Sequence, residues 1–101
     1  MNMEVVCNSI EEVRTNIDSI DRKIVALIAE RGGFVNQAAR FKKTTDDVKA
    51  PARVEQVINK VRGLSAEFGG NSDVTEAVYR AMISAFISAE LNEHAELNRE
   101  L

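Results

Sequence analysis

The chain is short of the residues that carry most covalent and metal chemistry. It has one cysteine, Cys7, and one histidine, His94, among 101 residues. A lone cysteine excludes an intrachain disulfide and makes a reduced, cytoplasmic setting the expectation. No His, Cys, Asp or Glu set has metal-ligand spacing and there is no glycine-rich phosphate loop, so no metal and no cofactor is expected. No nucleophile or acid is spaced to work with His94, which reads as a solvated surface residue. Clusters of Lys and Arg are missing as well, and with a net charge of −3 no nucleic-acid partner is expected. No apolar run approaches the ~18 residues of a membrane span, so no membrane partner is expected either. The first residues have no basic region and too short an apolar stretch for a signal peptide. Proline occurs once, at Pro51, so nothing forbids a continuous helix ahead of it.

What the chain does have is helical periodicity. With Ile10 at position a of a heptad, Ile17, Ile24, Arg31 and Ala38 also fall at a, and Val13, Ile20, Leu27, Phe34 and Phe41 fall at d. This predicts one helix from 9 to about 43 with an apolar seam interrupted only by Arg31. A charge in a seam is costly to bury unless something pairs with it. Arg31 therefore either snorkels to solvent or waits for an anion. Residues 1–8 read as a disordered leader and 9–101 as a single domain. Ser9 and Glu12 have the spacing of a capping box. The Gly32-Gly33 pair weakens the helix by about 1–2 kcal/mol, yet the seam stays in phase across it, which implies a close packing contact or a mild bend.

Thr44-Thr45-Asp46-Asp47 breaks the pattern and is expected to be a loop. Pro51 suits the first turn of a second helix, whose apolar positions are Val54, Val57, Ile58, Val61 and Leu64, ending at Phe68-Gly69-Gly70. Ser72 is expected to cap a third helix with a face of Val78, Met82, Ala85 and Ala89, flanked by Tyr79, Ile83 and Phe86, and fraying past Leu97. The fold class is all-α, with three helices and no strands. A 35-residue helix is ~52 Å long, whereas a compact chain of this size has a radius of gyration of ~13 Å. The two later helices would not bury such a seam, so an intertwined two-fold homodimer is expected.

Arg31 and Lys42 are 11 residues apart, about 20° from a common helix face and ~16 Å in Cα separation. Between two long cationic side chains that leaves room for a small dianion. Glu90 continues the Tyr79–Ile83–Phe86 stripe and aims a carboxyl group inward. Arg14 lies beside the seam but 28 residues from Lys42, roughly 42 Å along a straight helix. It can meet the same small ligand only from a partner chain. Each residue also has a plainer reading: Arg14 as a solvated rim residue, Lys42 as a complement to the helix dipole, Glu90 as a partner of Arg80 or Lys60. On spacing alone, an anion-binding helical dimer and a non-catalytic helical adaptor fit equally well.

The stretches Val13-Arg14, Ile17-Asp18-Ser19-Ile20-Asp21, Ala29-Glu30-Arg31 and Ala39-Arg40-Phe41-Lys42, followed by Ala50-Pro51-x-Arg53-Val54, resemble the all-helical chorismate mutase family. They are similar above all to the subgroup that includes bacterial isochorismate pyruvate lyases, and the likeness covers about residues 8–95. It implies interlaced dimers with two shared sites, Arg14 coming from the other protomer. It also implies that Arg14 and Arg31 clamp the two carboxylates of chorismate or isochorismate, while Lys42 and Glu90 act at the ether oxygen. Glu90 stands where many members have Gln, and a Glu can donate to that oxygen only when protonated. Further departures are Val48, Pro51 and Ala52, where mutases carry polar groups that read the substrate, and Phe86, where a serine is common. These departures point to the lyase and the Glu90 position points away from it. The first expectation is a chorismate mutase making prephenate. An isochorismate pyruvate lyase making salicylate and pyruvate is the alternative, and the adaptor the third.

Overall fold

The computed structural model describes residues 6–99, without the side chains of residue 94 and residues 96–99. Among the described residues every regular element is a helix: α1 (Ile10–Ala39), α2 (Thr45–Lys49), α3 (Pro51–Glu67) and α4 (Ser72–Arg99). Most of the expected leader, residues 1–5, lies outside the described residues, as does the side chain of His94.

The start of α1 follows its cap. Ser9 Oγ accepts from Glu12 N at 3.1 Å. The Glu12 carboxylate reaches one residue further back than a capping box requires and accepts from Asn8 N at 2.8 Å. The other end is shorter than the expected 43. After Ala39 the chain tightens, with Arg40, Phe41 and Lys42 N–H groups bonding to the carbonyls three residues earlier. This narrow last turn throws Phe41 off the seam, leaving it 84% exposed.

The expected loop at 44–47 is instead the entry to a short helix. Thr44 and Asp47 form a full capping box, Thr44 Oγ1 accepting from Asp47 N while the Asp47 carboxylate accepts from Thr44 N. A one-turn helix carries no periodicity to detect. Val48 turns inward from it and is buried. Ala50, left-handed at φ 36°, then redirects the chain into Pro51 and α3.

The turn from α3 to α4 is a Schellman motif. Gly70 N donates to Ser65 O at 2.7 Å and Gly69 N to Ala66 O at 3.1 Å. Gly69 takes the positive φ of 75° that this requires. The cap of α4 is Asn71 rather than the expected Ser72: Asn71 Oδ1 accepts from Asp73 N and Val74 N. Ser72 Oγ instead donates to Arg62 O, which clasps α4 to α3. The small core is Ile58, Val61, Val48 and Ile83.

α4 packs chiefly on α3 and meets α1 over a smaller area. The molecule is accordingly a rod, 60 × 26 × 17 Å with a radius of gyration of 17.4 Å, against ~13 Å for a compact chain of this length. The a and d residues from Ile10 to Leu27 are exposed by between 37% (Val13) and 61% (Leu27).

A chain of ion pairs holds α3 against α4. Arg80 binds both oxygens of Glu55 at 2.9 Å and Glu76 at 2.7 Å. Arg62 reaches Glu76 at 2.7 Å and Asp73 at 3.0 Å. The Arg80 guanidinium is the main cause holding the Glu55 and Glu76 carboxyls below the ordinary 4.5. A carboxyl depressed in the folded state stabilises it fully above the ordinary value and loses that contribution as pH falls through the folded one. Thermal unfolding is therefore expected at lower temperature once the pH drops below about 4.5, and Arg80→Met should show a shallower drop than wild type across that window. Melting curves at a series of pH values check this.

Candidate active site

One end of α1 and the three later helices line a half-open cavity of about 380 Å³. From α1 come Arg31, Phe34, Val35 and Ala38, with Lys42 just beyond its end. α2 supplies Val48 and Lys49, α3 supplies Arg53, Val54 and Val57, and α4 supplies Ile83, Phe86, Ile87 and Glu90. Four cations and one carboxylate share an otherwise apolar chamber, an arrangement that favours a small polyanion.

Of the residues singled out from sequence, the fold brings Arg31, Lys42 and Glu90 together and leaves Arg14 apart. Lys42 Nζ donates to Glu90 Oε2 at 3.2 Å and Oε1 at 3.4 Å. The Glu90 side chain is 8% exposed and that of Lys42 24%. Lys42 thus does more than face the helix dipole. The alternative partners of Glu90 are accounted for too: Arg80 is committed to Glu55 and Glu76, and Lys60 forms no ion pair among the described residues. The Lys42–Glu90 pair also forms a partition. Beyond it lies a second crevice lined by Asn36, Ala39, Arg40 and Glu93.

Arg31 does not snorkel into open water. Its guanidinium carbon lies 5.8 Å from the centroid of the Tyr79 ring, within cation–π range, and it has no ion pair or hydrogen bond among the described residues. Arg14 is exposed on the first turns of α1, outside the cavity.

Two cations were missed as site residues. Arg53 was read only as part of the motif that opens α3, yet it shares the cavity wall with Val54 and Val57. Its signal was available, since it stands beside the apolar face in the first turn. It also supplies a cation in early α3 that Val48, Pro51 and Ala52 do not. Lys49 had no such signal, because its orientation depends on α2. The Asp47 carboxylate that caps α2 is held below its usual range by the N–H groups of Lys43 and Thr44.

The expected close contact at the glycine pair is present. Gly32 is buried, and a Cβ built there would lie 2.9 Å from Phe86 Cε1 and 3.1 Å from Cζ, while one at Gly33 would meet nothing within 4 Å. The bare backbone of Gly32 therefore lets the Phe86 ring lie against α1 as a cavity wall.

The family model for chorismate mutase type II matches residues 13–91. The chain belongs to the chorismate mutase type II family. Among its relatives, an isochorismate pyruvate lyase of Pseudomonas aeruginosa is 27% identical over 85 residues, covering 84% of this chain and 84% of that protein. A chorismate mutase of Methanocaldococcus jannaschii is 29% identical over 73 residues, covering 71% of this chain and 74% of that protein. A bifunctional chorismate mutase/prephenate dehydratase of Aquifex aeolicus is 32% identical over 85 residues, which cover 80% of this chain but 24% of that longer protein. The all-α expectation and the family resemblance both hold. No described helix is long and apolar enough to cross a membrane.

The two glycines give contrasting expectations. Gly33→Ala should gain about 0.5–1 kcal/mol of helix stability and leave substrate affinity alone. Gly32→Ala should forfeit that gain, because the Phe86 ring must move by overpacking that costs about 1–3 kcal/mol. Its KM should rise as the ring shifts in the cavity. Melting temperature and KM measured on both variants decide it.

Proposed function

We propose that the chain rearranges chorismate to prephenate at this cavity, as a homodimer with two shared sites. The single observation that carries the reading is the convergence of Arg31, Lys42 and the buried Glu90 on one cationic chamber. Chorismate is a dicarboxylate with an enolpyruvyl ether. In a pericyclic rearrangement the ether C–O bond breaks as a C–C bond forms, and no proton is transferred. The work left to the protein is to hold a compact conformer and to stabilise charge at the ether oxygen. Arg31 clamps one carboxylate, and Arg14 from the partner protomer clamps the other with the fork geometry of a guanidinium. Lys42 donates to the ether oxygen, and Glu90 orients Lys42.

The dimer rests on the uncovered a and d residues of α1 and on the distance of Arg14 from the cavity. A monomer would leave much of the apolar face of a 30-residue helix in water and the site without Arg14. We place the enzyme in the cytoplasm, in keeping with its single cysteine.

Isochorismate pyruvate lyase is the second reading, favoured by one observation. No Ser, Thr, Asn, Gln or Tyr side chain lines the cavity, so a ring hydroxyl is poorly read and isochorismate should also fit. Incubation with chorismate and with isochorismate, following loss of chorismate absorbance and appearance of salicylate fluorescence, separates the two. A protein inactive on both would return the adaptor reading.

Lys42→Ala should lower kcat/KM by about 10²–10³, the usual effect of deleting a donor to developing negative charge. Arg14→Ala should be similarly impaired. Mixing the two inactive variants under subunit exchange should restore about a quarter of wild-type activity, since half the dimers are then mixed and each has one intact site. Failure of the mixture to recover would refute the shared site.

Glu90 faces Lys42 and Arg31 from α1 and its extension, Lys49 from α2, Arg53 from α3, and Glu93 and Arg40 across the second crevice. As an ionised carboxylate it accepts from Lys42 and cannot donate to substrate. Glu90→Gln keeps an oxygen to accept from Lys42 and adds an N–H donor toward the ether oxygen, so kcat/KM on chorismate should be retained or rise. A kcat/KM lowered by about tenfold or more in Glu90→Gln would remove Glu90 from this role.

A further inference from the structure

One stripe of α4 runs from the neighbouring apolar groove into the site: Tyr79, then Ile83, Phe86 and Glu90, spaced by four, three and four, the last three lining the cavity. Two of them touch the α1-borne cations. Glu90 holds Lys42 by two hydrogen bonds. The Tyr79 ring stands 5.8 Å from the Arg31 guanidinium, and Phe86 between them rests on Gly32, the next residue along α1. Arg31 also sits on a boundary. It lines the cationic cavity on one side and, on the other, an apolar groove formed with Ile24, Leu27, Val74, Val78 and Tyr79. An arginine so placed could turn its head either way along a flexible stem. Among the described residues it has no carboxylate, carbonyl or hydroxyl to fix it, which leaves the ring face as its only directional contact. The Tyr79 hydroxyl is likewise in no hydrogen bond among the described residues, so the ring face rather than the OH is what Arg31 uses.

We propose that Tyr79 is a positioning residue that fixes Arg31 at the edge of the substrate cavity. The inference rests on the reading of Arg31 as a carboxylate clamp. Its physical content is preorganisation: an arginine already held in its binding rotamer loses less freedom when substrate arrives. The benefit falls on binding, and therefore on KM more than on kcat.

The test uses the wild-type protein and three versions of position 79, with steady-state kinetics on chorismate and isochorismate and circular dichroism as a folding control. Tyr79→Phe keeps the ring face and removes a hydroxyl that makes no hydrogen bond among the described residues, so KM should stay within about twofold of wild type. Tyr79→Leu should raise KM by about 3- to 30-fold, the range of a cation–π contact from exposed to desolvated, with a smaller change in kcat. Pentafluorophenylalanine at the same position keeps the shape of Phe but reverses the ring quadrupole. It should behave like Leu, and it remains informative if Tyr79→Leu fails to fold. A KM within about twofold of wild type in the Leu variant, a Phe variant as impaired as Leu, or a pentafluorophenylalanine variant equal to Phe would each overturn the proposal. Those outcomes arise in a protein whose wild type turns over substrate. A wild type inactive on both substrates overturns the functional reading itself, and this one with it.

Discussion

The molecule is organised by a mismatch between one helix and the rest of its chain. α1 runs for 30 residues, while the α3–α4 hairpin shields it only in part. The exposed isoleucines along its first half would lose about 25 cal/mol of favourable burial for every Å² of apolar surface left in water. A helix in that position is stable when something else covers it. Its far end, by contrast, is fixed within the chain by three contacts of different kinds: a cation over an aromatic ring at Arg31, a ring against bare backbone at Gly32, and an ion pair at Lys42. The uncovered apolar surface and the cavity thus lie at opposite ends of one element.

That division explains how much could be read from the chain. The long helix was legible because its heptads stay in phase across Arg31, and α3 because Pro51 and the Gly69-Gly70 turn punctuate it. The capping details were half legible. Ser9 did cap, but Glu12 bonded Asn8, and Asn71 displaced Ser72, because any of several adjacent polar groups can satisfy the same orphan N–H groups. α2 was hidden, since five residues cannot display a helical period. With α2 went Lys49, whose place in the wall follows from that helix.

The site was legible to the extent that charge stood in apolar surroundings. Arg31 interrupts a seam and Glu90 interrupts a face, and both turned out to line the cavity. Their mutual arrangement was not visible, because the partners of Lys42 and of Arg31 come from α4, some 48 residues away in each case. Spacing within one helix can show that two cations share a face. It cannot show which residue on a neighbouring helix will orient each of them. Arg53 belongs to the same lesson: a cation in the first turn of a helix has an ordinary surface reading, and only the closure of the cavity around it selects the other.

The glycine turn between α3 and α4 bears on the order in which the molecule assembles. Its Schellman hydrogen bonds join residues at most five apart, and the hairpin it closes is dominated by contacts near in sequence, the kind that form in roughly microseconds to milliseconds. α1 gains most of its cover, in the homodimer proposed above, from another chain. Its final ordering is then a bimolecular event whose rate depends on concentration. A newly made chain would hold a formed hairpin and an unsheltered amphipathic helix until it meets a second copy. In that interval its solubility rests on the charged residues along the outer faces of α1.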